Sequence, residues 1–347
     1  MEYLIGSKKE FLEFIDSIGK NSIAILSHSD LDGIASAIFL EEILKAKGLE
    51  GNLKIREFLE YKKGIFGEAY HELKEKKISS ILISDLSSEN IDTEGFERLR
   101  NEFNVFSIDH HPAGELKDKK GIIKTETGYC ASFVCYELGK EIFDFEKWKW
   151  LVHAAIVSDM SYKNSEVLKF LQKDYPEITE ENIHESEIGK IASSISSSLI
   201  YFDKDVKKVY DLVRRKEIKE LGKYDEKIRK EIDKWVRKYE QEAEYYPKRN
   251  LYFYYYNSRF NITSLVGTLL SSKRKDATII SVSDIKNENG FVKVSARNQN
   301  SREDMNKLMK KGVSGLENAT GGGHVPAAGG RFMKKDLEKF KENILAK

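Results

Sequence analysis

The sequence predicts an α/β protein in three parts: an N-terminal domain on a parallel sheet, a helical connector, and a smaller C-terminal α+β domain. Three observations carry this reading. Short apolar runs alternate with helical patterns over the first half, the mark of βαβ units and a parallel sheet covered on both faces. Residues 186–248 then become highly charged, with apolar positions spaced by three or four, a helical period. After Pro247 the period changes again, to the strands and helices of a second small domain. The divisions fall at 1–185, 186–248 and 249–347, and 347 residues suit about two globular domains at ~100–200 residues each.

Taken in order, Ser22–Ser27 (SIAILS) reads as a buried strand. Gly33–Lys47 reads as a helix with Ile34, Ala37, Ile38, Leu40, Ile43 and Leu44 on one side. Ser79–Asp85 (SSILISD) and Asn104–Asp109 (NVFSID) are further strands, with a helix at Ile91–Asn101 between them. Cys130–Lys140 and Trp148–Ser158 read as helices. In the charged stretch, Ile218, Leu221, Tyr224, Ile228, Ile232, Trp235 and Tyr239 describe one long amphipathic helix, with Gly222 a soft spot near its start. It reads as a connector packing against both domains. The alternative is a contact between copies along a short heptad seam, which would make the chain a homo-oligomer. Beyond it, Leu251–Tyr256, Ala277–Val282 and Phe291–Arg297 are predicted strands and Ser264–Ser271 a helix. A Gly-rich loop at Gly312–Gly330 precedes a terminal helix.

Composition narrows the function. Lys+Arg is 58 and Asp+Glu 57, a formal net charge of +1, so the whole chain carries no basic signal for nucleic acid, although a neutral total can hide a basic groove. Hydrophobic residues make up 40%, which excludes general disorder. No apolar run approaches the ~18 residues of a membrane helix. The start MEYLIGSKKE lacks the pattern of a secretory leader, so no membrane partner is expected and the setting is cytoplasmic. Two cysteines, Cys130 and Cys135, without CxxC spacing exclude a disulfide framework and a zinc finger. Only four prolines with 33% charged residues fit a high-temperature source.

Four short motifs carry the chemistry: Ser27-His28-Ser29-Asp30-Leu31-Asp32-Gly33, Ser84-Asp85, Asp109-His110-His111-Pro112, and Ser158-Asp159. The first three follow predicted parallel strands, whose carboxyl ends line the ligand crevice of an open α/β sheet. The fourth ends an apolar helix. Each has a plainer reading alone: an acid after a strand is often a helix N-cap, as Asp32 or Asp85 could be. Adjacent histidines beside an acid serve no common packing purpose. Together the motifs describe a site for hard cations, because carboxylates and imidazoles without thiolates suit Mn²⁺ or Mg²⁺ better than structural zinc. Five carboxylates in one crevice repel one another, and bound divalent cations remove that cost. Two metals about 3.5–4 Å apart can share one carboxylate and hydrolyse a phosphodiester or phosphoanhydride.

The order DxDG, D, DHH, D and then a distant GGGH resembles the DHH phosphoesterase superfamily with a C-terminal DHHA1 domain, over about Ile23 to Phe332. That group includes RecJ-type exonucleases, nanoRNases and cyclic-dinucleotide phosphodiesterases. Family II pyrophosphatases share only the first domain. The resemblance implies two Mn²⁺ or Mg²⁺ ions: His28 and Asp30 hold one, Asp32 the other, Asp85 bridges them, and His110 and Asp159 complete the second. It implies that Asp109 orients His110 and that His111 sits near the scissile phosphate as an electrostatic or proton-donating group. Thr127–Ser132 departs from the family pattern and receives no role.

In the second domain, Thr320-Gly321-Gly322-Gly323-His324 lets backbone N–H groups approach an anion, although such loops are often only turns. Arg297 ends a predicted strand and could grip a phosphate bidentately, or could be a plain surface arginine. Similarity to DHHA1 domains implies that Arg297, Gly322, Gly323 and His324 bind substrate, facing the metals across an inter-domain cleft. The aromatic run Tyr252–Tyr256 could stack bases but reads better as a strand with rings in the core. The function implied is a metal-dependent exonuclease on single-stranded DNA or RNA in repair or replication-fork processing, resembling compact archaeal RecJ-like nucleases, some of which partner a fork-processing helicase. The alternatives are a nanoRNase or cyclic-dinucleotide phosphodiesterase and, more remotely, a non-catalytic scaffold.

Overall fold

A computed structural model describes residues 1–346 apart from 117, 204 and 287. Two compact units divide the chain, Met1–Lys223 and Tyr224–Lys347. The charged stretch forms the helices Glu187–Phe202, Val206–Arg214 and Ile218–Glu242, and the division falls inside the last. Gly222 does not interrupt that helix.

The first unit holds a six-stranded sheet: β1 (Tyr3–Ile5), β2 (Ile23–His28), β3 (Leu53–Leu59), β4 (Ser80–Ser84), β5 (Asn104–Asp109) and β6 (Ile122–Thr125). Their order is β1-β6-β5-β4-β2-β3, parallel throughout except for β1 against β6. From β2 the chain steps outward to β3, then crosses back to β4 on the other side of β2. The β2/β4 pair is therefore the topological switch point, where open α/β sheets bind ligands. The helix Leu31–Ala46 is buried over Leu31–Leu44, two glutamates included. Such a helix is apolar on most sides because it is covered on most sides.

The apolar-run rule found β2, β4 and β5, which lie inside the sheet, and missed three strands. The sequence LKIREFL of β3 mixes Lys54, Arg56 and Glu57 with apolar residues because β3 is an edge strand. The run IIKT of β6 is short and carries a buried lysine. The three residues of β1 are too few to show a period.

The second unit has its own sheet: β7 (Glu244–Tyr246), β8 (Leu251–Tyr256), β9 (Thr278–Asp284), β10 (Phe291–Arg297), β11 (Thr320–Gly323) and β12 (Ala327–Met333), in the order β11-β12-β10-β9-β8-β7. Both faces of β8 are covered. Leu251 and Phe253 join the core with Phe332 and Phe340, while Tyr254 and Tyr256 stack on each other and meet Tyr239 and Trp235. The expected Gly-rich loop needs correction. Thr320–Gly323 is an edge strand paired antiparallel with β12, and Met305–Gly312 is a helix. Glycine lowers strand propensity and hid this pairing. It is needed there because a Cβ on Gly321 would lie 2.8 Å from Met309 Cγ, and one on Gly330 2.7 Å from the Thr320 carbonyl oxygen.

Candidate metal centre

Strand register builds the site. Ser27 pairs with Ser84 across β2 and β4, their hydroxyls 2.6 Å apart, and Ser84 pairs with Ile108 across β4 and β5. His28, Asp85 and Asp109, each one residue further along its strand, therefore emerge side by side at the switch point. Asp30 is the N-cap of the helix Leu31–Ala46, its Oδ1 accepting from the Gly33 amide at 3.0 Å. A Cβ on Gly33 would lie 2.0 Å from the His28 carbonyl oxygen, so the helix can start this close to the strand only at glycine. Asp85 has φ 61°, a left-handed conformation costing a non-glycine residue roughly 1–2 kcal/mol, which turns the chain sharply after β4.

Asp85 is the hub. One of its oxygens lies 3.5 Å from His28 Nδ1, and the other 3.3 Å from His110 Nε2 and 3.9 Å from His111 Nδ1. His28 Nδ1 also meets Asp30 at 3.0 Å, and His110 Nδ1 lies 3.8 Å from Asp159. Among the described residues three groups bring potential ligand atoms within 4.8 Å of one another: His28, Asp30 and Asp85; Asp85, His110 and His111; and Asp32, Cys130 and Asp159. Asp85 belongs to the first two.

Asp32 is not the N-cap of its own helix. Across sequence separations of 99 and 100 residues its carboxylate accepts from the amides of Ala131 (2.7 Å) and Ser132 (3.0 Å), holding the start of the helix Ala131–Gly139. The Asp109 carboxylate pairs with His111 Nδ1 at 2.8 Å, not with His110 as expected. His110 Nδ1 instead lies 3.4 Å from the Thr127 carbonyl. Lys124, one strand over and in register with Asp109, forms a buried ion pair with both Asp109 and Glu89.

The electrostatics of the crevice fit a cation site. Burial and the neighbouring carboxylates Asp85 and Asp159 push Asp32 well above the usual carboxylate range. Burial, against His110 and with Asp85, brings Asp159 up to about 6. Burial would lower both imidazoles, yet Asp30 and Asp85 hold His28 up at about 10, and Asp85, Asp32 and Asp159 do the same for His110. Protons here neutralise excess negative charge, the task a divalent ion performs when bound. Oxygen and imidazole donors suit Mn²⁺ or Mg²⁺.

Tyr61 was missed from the sequence. It follows the edge strand β3, and its hydroxyl donates to the Asp85 backbone carbonyl (3.1 Å) and lies 2.9 Å from His111 Nε2. Its ring sits 4.2 Å, centroid to centroid, from that of His28.

In the second unit, Arg297 donates to the carbonyls of Ala296 and Ala328, to Ser264 Oγ at 2.7 Å and to Thr268 Oγ1 at 3.4 Å. These are neutral partners, and among the described residues its charge meets no carboxylate. Residues 324–327 form the tight turn of the β11–β12 hairpin, with His324 exposed. Arg297 pairs with Ala327, and Gly322 and Gly323 pair with Gly329 and Ala328, so the four candidates share one end of this sheet.

A switch-point crevice of carboxylates and imidazoles, on this fold, belongs to a metal-dependent hydrolase. Residues 22–156 match the DHH family N-terminal domain and residues 252–347 the DHHA1 domain, and the chain belongs to the DHH–DHHA1 superfamily. No curated protein matches it in sequence. Solved structures share its fold. A DHH-domain member of the s1p family of ribosomal proteins aligns at 16% identity and TM-score 0.70, over 99% of this chain and 92% of the other. Exonuclease RecJ bound to manganese aligns at 14% and 0.69, over 98% and 94%. An exopolyphosphatase-related protein from Bacteroides fragilis aligns at 15% and 0.56, over 99% and 97%. No helix of the described residues is long and apolar enough to cross a membrane.

Proposed function

We propose that the chain is a two-metal exonuclease on single-stranded nucleic acid, DNA or RNA, acting in repair or replication-fork processing alongside a helicase. The observation that carries this reading is the convergence of His28, Asp30, Asp32, His110 and Asp159 around Asp85 at the switch point. His28, Asp30 and Asp85 would hold one ion, and Asp85, Asp32, His110 and Asp159 the other. The bound ions supply a water ionised near neutral pH and neutralise phosphate charge. The chain's own groups do the rest. Asp109, held well below the usual carboxylate range despite burial by His111 and Lys124, stays ionised and keeps the proton of His111 on Nδ1. That leaves His111 Nε2, beside the Tyr61 hydroxyl, to meet the substrate. Arg297 brings a guanidinium that meets no carboxylate among the described residues, suited to a phosphate, and His324 an exposed imidazole at the hairpin tip. RecJ bound to manganese, of matching length, supports both the metal and the nuclease reading.

The test is a degradation time course with Mn²⁺ on end-labelled DNA and RNA single strands of several lengths, the same DNA as a blunt duplex, and a cyclic dinucleotide. Stepwise shortening of the long single strands is expected. Cleavage confined to the shortest RNAs or to the cyclic dinucleotide would replace this reading with a nanoRNase or cyclic-dinucleotide phosphodiesterase. No cleavage of any phosphodiester would overturn the nuclease reading, and no cleavage of polyphosphate either would leave a scaffold.

A further inference from the structure

Cys130 has no part in the assignment so far, and the sequence places no thiolate in the centre. It stands at the N-cap of the helix Ala131–Gly139, its sulfur facing the first-turn amide of Phe133, a weak substitute for the oxygen that usually caps a helix. Asp32 does that work from another helix, taking the Ala131 and Ser132 amides. The sulfur also lies within 4.8 Å of an oxygen of Asp32 and one of Asp159. Cys130 is fully buried, and the Ser132 hydroxyl lies 3.5 Å from its sulfur, placed to support it with a hydrogen bond. Cys135 is equally buried on the same helix but joins no ligand group among the described residues, which makes it an internal control.

We propose that Cys130 is a thiolate ligand of the ion held by Asp32 and Asp159. This rests on the two-metal reading above. As the sulfur–metal bond forms, the S–H proton leaves to solvent, since a coordinating thiol is deprotonated outright. A thiolate is a soft donor, so this position favours Mn²⁺ and other transition ions over Mg²⁺, while the His28–Asp30–Asp85 position keeps hard donors and accepts either. One protein then carries two metal positions of different selectivity.

Cobalt tests this without recourse to activity. The metal-free protein is titrated with Co²⁺ by calorimetry and by absorption, where a sulfur-to-cobalt charge-transfer band reports the bond. The wild type and Cys135→Ala should bind two ions and show the band as the second fills. Cys130→Ser should still bind two, with the second weakened by at least the roughly 10-fold that loss of a supporting group costs, and the band gone. Cys130→Ala should match it, which covers a serine variant that folds poorly. Two ions with no band in the wild type, or a band that survives in both Cys130 variants, would overturn the thiolate alone. A wild type that binds no cobalt would overturn the two-metal reading, and the thiolate with it.

Discussion

His111 and Asp109 share a 2.8 Å hydrogen bond at the end of β5, and the strength of that hold depends on a lysine one strand away. Lys124 is fully buried between Asp109 and Glu89. Lys124→Met would keep the bulk of the side chain and leave two buried carboxylates without their cation. Breaking a buried pair in this way costs roughly 3–5 kcal/mol. Urea unfolding should show a loss of that order. A loss below about 1 kcal/mol would mean that water reaches this pair.

Asp85→Asn tests the hub. Asparagine tolerates the left-handed backbone at 85, so the turn after β4 should survive. What disappears is the charge shared by His28 and His110. Turnover should fall at least about 100-fold, the upper end for groups that merely support a ligand, and calorimetry should show fewer than two Mn²⁺ bound. Full metal occupancy with normal turnover would remove Asp85 from the centre.

Tyr61→Phe deletes one hydroxyl and keeps the ring beside His28. The phenol, raised by burial and the surrounding carboxylates, stays protonated and donates to the Asp85 carbonyl. Loss of that bond and of the contact with His111 should cost about 1–3 kcal/mol of transition-state stabilisation, or roughly 5–150-fold in kcat, with Mn²⁺ affinity retained. An unchanged kcat would make Tyr61 a surface residue.

Arg297→Ala and His324→Ala should raise KM while leaving Mn²⁺ binding at the wild-type value. Both residues lie in the second compact unit, and all the proposed ligands lie in the first. Calorimetry on each variant checks this. A drop in metal stoichiometry would place either residue in the centre itself.

The crevice of acids and imidazoles was largely legible because its parts follow the strands easiest to read. Interior parallel strands are continuous apolar runs, so His28, Asp85 and Asp109 stood out as polar residues ending such runs. Tyr61 was hidden because β3 is an edge strand without such a run, and Lys124 because a buried cation reads as a surface residue. The hold of Asp32 on residues 131 and 132 spans about a hundred positions and leaves no local pattern. The pairing of Asp109 with His111 rather than His110 depends on which way two adjacent rings turn, and spacing does not encode that. In the second unit, glycines needed for close packing passed for a loop.

The last prediction concerns stability and stands apart from the metals. His153 is buried in the helix Lys149–Ser158 against the edges of Phe170 and Tyr175. Burial pushes its imidazole down to about 4; Asp174, 3.3 Å from Nε2, opposes this and Lys149 assists it. In the unfolded chain the ring titrates near its ordinary value of about 6.5. Between those two values the unfolded state binds a proton that the folded state refuses, so stability rises with pH across that window. The contribution is complete above about pH 6.5 and is lost as the pH falls toward 4. Lowering the pH from about 7.5 to about 5 should therefore remove about 2 kcal/mol through this residue alone. His153→Gln, compared with the wild type by urea unfolding at both values with a chelator present, should lose about 2 kcal/mol less over that interval. Identical losses in the two proteins would mean that His153 takes up its proton within the fold.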